Sequence, residues 1–260
     1  MEALLVILIV VLGLIFGSFL NVCIARLPRH ESIVRPRSRC PHCGAPIAAW
    51  DNIPVLSYLL LGGRCRACRK PISWRYPAVE IILPLLWLLC WAEFGLTIRG
   101  LGMAVLCFLL LGLAVMDAET MRLPDAFTLP GIALGIVYSG AICGKWARCA
   151  FLSLGWAASF AGLILAIAGI YWLLRRRTGM GIGDAKLMAM IAAWLGPSQG
   201  VLVLFLGVIA AAIYGLALSA SRRKMEGSVA LPFGAFLSVA SIYAVFVGQR
   251  IIYWYLGFFH

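Results

Sequence analysis

The sequence predicts an all-α polytopic membrane protein of about eight transmembrane helices, with one small loop domain between the first two. Three observations carry that prediction. The 260 residues are 63% hydrophobic and only 12% charged, about half the charged share of a soluble domain. That excess cannot be buried in one soluble core, because the remaining polar residues could not cover it. Apolar runs of the roughly 20 residues that a bilayer crossing needs recur along the chain. The basic residues between those runs fall almost entirely on one side.

In order, the spans are residues 3–25, 78–97, 100–118, 126–143, 150–174, 185–196, 200–220 and 233–256. The first reads as a retained span and not as a signal peptide. Only Glu2 precedes it, no A-x-A-like site follows, and the run is too long for a signal core. The sixth is the weakest, since only Ala185 to Gly196 separates Asp184 from the Gly196-Pro197 break. A short or membrane-embedded helix is expected there. Charge supports the count of eight. If residues 26–77 lie inside, alternation also places 119–125, 175–186 and 221–227 inside. Of the 22 Lys and Arg residues, only Arg99, Lys145, Arg148 and Arg250 then fall outside. Both chain ends are expected on the outer side. The domains are accordingly 1–25, the first helix; 26–77, the loop; and 78–260, about seven helices.

In a soluble protein the net charge of +12 would suggest nucleic acid. Here it fixes topology, so membrane lipid is an expected partner and nucleic acid is not.

The loop 26–77 is too small and polar to build a core, so it needs a staple. Cys40-Pro-His-Cys43 and Cys65-Arg-Ala-Cys68 provide two C-x2-C knuckles, the spacing of a four-thiolate structural zinc site. Two disulfides or a thioredoxin-like redox pair are the competing readings. A reducing cytoplasm counts against the first, and the lack of a βαβ pattern against the second. His42 is expected to be a solvated knuckle residue. Cys23, Cys90, Cys107, Cys143 and Cys149 follow no pairing pattern and read as small apolar residues.

Carboxylates at membrane depth are costly and therefore functional candidates. Glu80 and Glu93 lie near the ends of the second span, where water is in reach, and Glu80 reads equally as an interfacial anchor. Asp125 follows Pro124 at the start of the fourth span and suits helix-start chemistry. Asp117 closes the third span. Asp184 opens the sixth after Gly179-Met180-Gly181-Ile182-Gly183. Its bland reading is a helix N-cap, while the bare glycine backbone could approach an extended peptide. Asp117 and Asp184 share one membrane level on different spans. A carboxyl pair at close range shares one proton, and so can activate water against a peptide carbonyl. The histidines, His30, His42 and His260, lie outside the span interiors, and neither G-x-S-x-G nor H-E-x-x-H occurs.

Several motifs, in this order, resemble the bacterial type IV prepilin peptidases. They are Gly17-Ser-Phe-Leu-Asn-Val22, the four-cysteine loop, Asn52-Ile-Pro-Val-Leu-Ser-Tyr58, Arg75-Tyr-Pro-Ala-Val-Glu80, Asp117 with Leu123-Pro-Asp125, Gly181-Ile-Gly-Asp184 and Leu231-Pro-Phe-Gly234. The resemblance implies a bifunctional inner-membrane enzyme with its loop and aspartates facing the cytoplasm and its termini in the periplasm. It would cleave the basic leader from type IV prepilins or type II secretion pseudopilins after a glycine. It would then methylate the new N-terminal residue, usually phenylalanine, from S-adenosylmethionine. The family's aspartyl pair maps to Asp117 and Asp184. Ala235 departs from the pattern, which leads one to expect proline there, and leaves the catalytic assignment untouched. No glycine-rich nucleotide loop on a strand marks a methyl-donor site. Two rival readings are a proton-coupled transporter, for which no internal repeat is evident, and a non-enzymatic secretion-machine subunit. The latter leaves both aspartates without a role.

Overall fold

The computed structural model describes residues 2–176, 181–221 and 231–258. Gly179 and Met180 of the glycine run, Arg177, Arg222, Arg223 and Lys224 of the inner loops, and His260 lie outside the described residues. The chain is helical, with the helices α1 (Glu2–Arg26), α2 (Leu56–Leu60), α3 (Arg75–Phe94), α4 (Ile98–Thr120), α5 (Asp125–Ala141), α6 (Trp146–Arg175) and α7 (Ile182–Ser221). Next come α8 (Phe233–Tyr243), a π-turn at Ala244–Gly248, and α9 (Gln249–Leu256). It divides into two compact units, Met1–Phe108 and Leu109–His260.

Among the described residues, six helical stretches are long and apolar enough to cross a membrane: α1, α3, α4, α6, α7 and the α8–α9 run. The expected fourth span is α5, whose 17 residues are at the short end of a crossing. The expected sixth and seventh spans form one 40-residue run, α7, broken at Gly196 (φ 77°) ahead of Pro197. A straight helix of that length would be about 60 Å, twice the hydrocarbon thickness, so the break is needed. Only glycine takes that φ without strain.

In the first unit, α1 packs against α3 through a register set by small residues. A Cβ on Gly13 would lie 2.6 Å from Pro84 Cα, and one on Gly17 would lie 2.8 Å from Glu80 Cα. One turn further along, Asn21 Nδ2 donates to the Tyr76 carbonyl at 3.0 Å. Three positions four residues apart thus face three on α3 in antiparallel order. This is the small-x3-small device by which membrane helices approach without a hydrophobic drive.

In the second unit, α7 packs against α5, α6 and α8. Its first half is the core, with Leu187, Met188, Met190, Ile191 and Ala192 fully buried. A helix apolar all round belongs inside, and the short helix expected before the Gly196-Pro197 break is found. On α5, Gly131 lies under Met190 and Gly135 under Trp194. The indole Nε1 donates to the Gly131 carbonyl at 2.8 Å, and its ring stacks on Tyr138. Pro197 has no N–H for the Ala193 carbonyl four residues back. Ser153 Oγ on α6 donates to that carbonyl instead, at 2.9 Å. No backbone group at that depth can wait for water.

One cysteine expectation is corrected. Cys143 and Cys149, read as unpaired apolar residues, form a disulfide across the α5–α6 turn. Pairing is possible because the turn at Gly144 folds six residues back on themselves, which no spacing motif announces. Cys23, Cys90 and Cys107 are buried free thiols, as expected.

The α1–α3 contact yields a stability prediction. Gly17→Ala should lower the thermal unfolding midpoint in detergent, at a cost of about 1–3 kcal/mol from overpacking against α3 backbone. Gly155→Ala on α6, where a Cβ meets nothing within 4 Å, should leave the midpoint unchanged or raise it. Equal midpoints for both variants would contradict the packing.

Candidate active site and metal centre

Asp117 stands in the last turn of α4, with only 5% of its surface exposed. Its Oδ2 accepts the Ala235 backbone N–H at 2.8 Å. Gly234 presses against the same carboxyl, since a Cβ there would lie 3.1 Å from Asp117 Cγ. Both residues belong to the first turn of α8, where N–H groups have no helical partner and the dipole is positive. The helix start is thus aimed at the carboxylate.

Asp184 is the third residue of α7. The N-cap reading is corrected, because Asp184 lies inside the helix and reaches back. Its Oδ2 accepts the Gly181 N–H at 3.1 Å, while its own N–H donates to the Gly181 carbonyl at 3.1 Å. This is a reciprocal capping contact. The carboxyls of Asp117 and Asp184 are within electrostatic reach of one another.

Leu123 holds these ends together. Built Cβ atoms on Gly183 and Gly234 would lie 3.1 Å and 2.8 Å from its side chain, so Leu123 wedges between the starts of α7 and α8. Asp125 begins α5, as expected, and also does more. Its Oδ1 is 2.6 Å from Lys186 Nζ, two residues past Asp184. The pair is too exposed to add much stability, about 0–1 kcal/mol, but it ties the start of α5 to the start of α7.

Sequence reasoning missed Leu123 and undervalued Ala235. The residue that departs from the expected proline supplies a donor to Asp117 that proline could not. The departure itself was the available signal.

The four cysteines also converge. Their sulfurs all lie within 4.8 Å of one another, and Cys40 Sγ is 3.9 Å from Cys68 Sγ. A tetrahedron of about 2.3 Å zinc–sulfur bonds has edges of about 3.8 Å, so the donor set fits a metal ion. The two knuckles repeat one backbone pattern. Cys40 N–H donates to the Ala45 carbonyl and Cys65 N–H to the Lys70 carbonyl, both at 2.9 Å. The fourth residue after each first cysteine, Gly44 and Arg69, has positive φ (72° and 59°). Burial pushes the Cys40 thiol up, but N–H groups of His42 and Cys43 and the thiols of Cys65 and Cys43 outweigh it. The result is about 7 for Cys40, while Cys40 and Cys68 help push the Cys43 thiol up to about 11; the cluster by itself holds one thiolate, and a metal would supply the positive charge that the others need. Arg66 in the second knuckle donates twice to Asp51, at 2.8 and 2.6 Å. That hydrogen-bonded guanidinium holds the Asp51 carboxyl below its ordinary range.

The interfacial-anchor reading of Glu80 is corrected as well. Only 8% of Glu80 is exposed, because α1 covers it at Gly17. Its Oε2 accepts the Val55 N–H at 2.8 Å. Val55 is a β-branched residue at φ 61°, a conformation that needs such a hold.

Comparison with known proteins places these two sites in two family regions. Residues 11–94 match the bacterial peptidase A24 N-terminal domain, and residues 104–216 match the type IV leader peptidase family. A prepilin leader peptidase/N-methyltransferase of Pseudomonas putida is 37% identical over 266 residues, 93% of this chain and 90% of the relative. One from Aeromonas hydrophila is 37% identical over 278 residues, covering 96% and 93%. One from Neisseria gonorrhoeae is 38% identical over 235 residues, covering 80% and 81%. The chain belongs to the type IV leader peptidase family. In this leader peptidase family member, the leader peptidase match contains both Asp117 and Asp184. The N-terminal match contains the cysteines and Glu80. No solved structure matches the chain.

Proposed function

We propose that this protein is an inner-membrane aspartyl endopeptidase for type IV prepilins or type II pseudopilins. It removes their basic leader on the cytoplasmic side and N-methylates the exposed residue. The observation that carries the reading is that Asp117 and Asp184, each from a different helix end and each held by a backbone N–H, come within electrostatic reach of one another. One carboxylate takes a proton from the attacking water and later passes it to the leaving amine, while the other, as the acid, gives its proton to the carbonyl oxygen and takes one back from the tetrahedral intermediate as it collapses. The Gly181 backbone beside Asp184 carries no side chain to obstruct an extended peptide. The names of the relatives support both halves of the activity. A transporter or a purely structural subunit has no such support.

A zinc ion would be held by Cys40, Cys43, Cys65 and Cys68, where it staples a loop that has no core of its own. S-adenosylmethionine, when bound, supplies the methyl group. The described residues include no strand-to-helix glycine loop of the dinucleotide type.

Three outcomes test this reading. Asp117→Asn and Asp184→Asn should each reduce leader cleavage by purified protein by roughly 10³-fold or more, since neither acid can make both transfers alone. Asp125→Asn should be milder, because it loses only an exposed ion pair. Near-normal cleavage by either of the first two variants defeats the dyad. For the metal, elemental analysis should find about one zinc per chain, falling on Cys40→Ser. A zinc-free protein with four reactive thiols defeats that site. For orientation, reporter fusions after Arg69 and Lys224 should read cytoplasm, and one after His260 should read periplasm. A cytoplasmic reading after His260 ends the eight-span arrangement.

A further inference from the structure

The proteolytic chemistry leaves one buried charge in the first unit unused. Glu80 is surrounded by polar groups from three segments: the Val55 N–H of the loop, and Ser18 and Asn21 of α1, whose side chains are within hydrogen-bonding reach of its carboxylate. Asn21 is 3% exposed; one N–H of its amide donates to the Tyr76 carbonyl at 3.0 Å, and the second is left for the Glu80 carboxylate. Its Oδ1 is buried with no hydrogen-bond partner. An orphaned acceptor at that depth costs about 1–3 kcal/mol unless a donor arrives.

The chemistry of the missing donor follows from what surrounds it. A carboxylate and an amide oxygen side by side accept hydrogen bonds and favour positive charge. They would repel a phosphate or carboxylate and gain nothing from an apolar group. A primary α-amine, with several N–H donors on one small cationic head, satisfies both. The cluster stands within about two turns of the helix ends marked by Arg26 and Arg75, so a polar head group need not cross the apolar layer to reach it. It also lies wholly in the N-terminal family region, outside the match that holds Asp117 and Asp184.

We propose that Glu80 and Asn21, with Ser18 beside them, form a binding site for a primary α-amine that serves the methylating half of the enzyme. This proposal rests on the functional reading above. Two amines fit that chemistry: the N-terminus freed by leader cleavage, and the amino group on the methionine end of the methyl donor. Glu80 supplies the charge and Asn21 the neutral acceptor, while the Val55 N–H keeps the carboxylate turned toward the loop.

The test compares paired probes on full-length protein in detergent. One arm measures affinity for a synthetic mature-form peptide with free N-terminal phenylalanine against its N-acetyl twin. The other compares S-adenosylhomocysteine with its deaminated analogue. The wild type should prefer the amine form by about tenfold or more in one arm, the gain of a charge-assisted hydrogen bond, and that arm names the source. Glu80→Gln and Asn21→Leu should bring the preference to within about twofold, with a matching fall in methylation. Asn21→Asp, which keeps the acceptor, should retain it. Leader cleavage by the same preparations reports on folding and should persist. A wild type without preference in either arm, or variants that keep it, overturns the amine site. Loss of cleavage together with preference makes the cluster structural, and also overturns it. A wild type that shows the amine preference yet methylates no peptide leaves the site standing and overturns the methylating half of the function.

Discussion

A carboxylate at membrane depth persists only where the protein replaces the water it has lost. In this chain the replacement is backbone. Asp117 takes the Ala235 N–H at the start of α8, and Asp184 takes the Gly181 N–H at the start of α7. Helix starts are the natural source, because their first N–H groups have no partner within the helix. Two helix starts must therefore be brought to the end of a third helix. Leu123, the glycines that receive it and the Lys186–Asp125 pair all serve that convergence.

The same constraint shapes the interior. Every backbone polar group in the apolar layer needs a partner from the protein. Where Pro197 withdraws an N–H, Ser153 gives a hydroxyl to the stranded Ala193 carbonyl. Where helices must close without hydrophobic drive, glycine lets them touch, at Gly13 and Gly17 in one unit and at Gly131 and Gly135 in the other. The break at Gly196 keeps the first half of α7 short and buried, so Asp184 sits at the rim of a packed core.

The cysteine loop solves a different problem. With few apolar residues, it holds its shape through two knuckles of like hydrogen bonding, the four converging thiols, the Arg66–Asp51 clamp and the Glu80–Val55 contact. The first of these is local and the rest are long-range. Metal would tighten the thiol cluster; Glu80 anchors the loop to α3 without it.

How much of this was legible beforehand depends on the range of the interaction. Composition and run length determined the helical membrane class, because burial of apolar residues is a property of the chain itself. The C-x2-C spacing, a local geometry, determined the thiol cluster, and the family motifs singled out Asp117 and Asp184. Tertiary structure alone decided what each acid touches. Glu80 looked interfacial from its place near a helix end, yet α1 covers it; Asp184 looked like a cap, yet it lies one turn in. Cys143 and Cys149 carried no pairing signal, because a turn and not a motif joins them. Ala235 seemed a neutral exchange until α8 laid its N–H against Asp117. Patterning along a chain sets which groups must be buried or satisfied, whereas the partner that satisfies them comes from elsewhere in the sequence and exists only once the helices have packed.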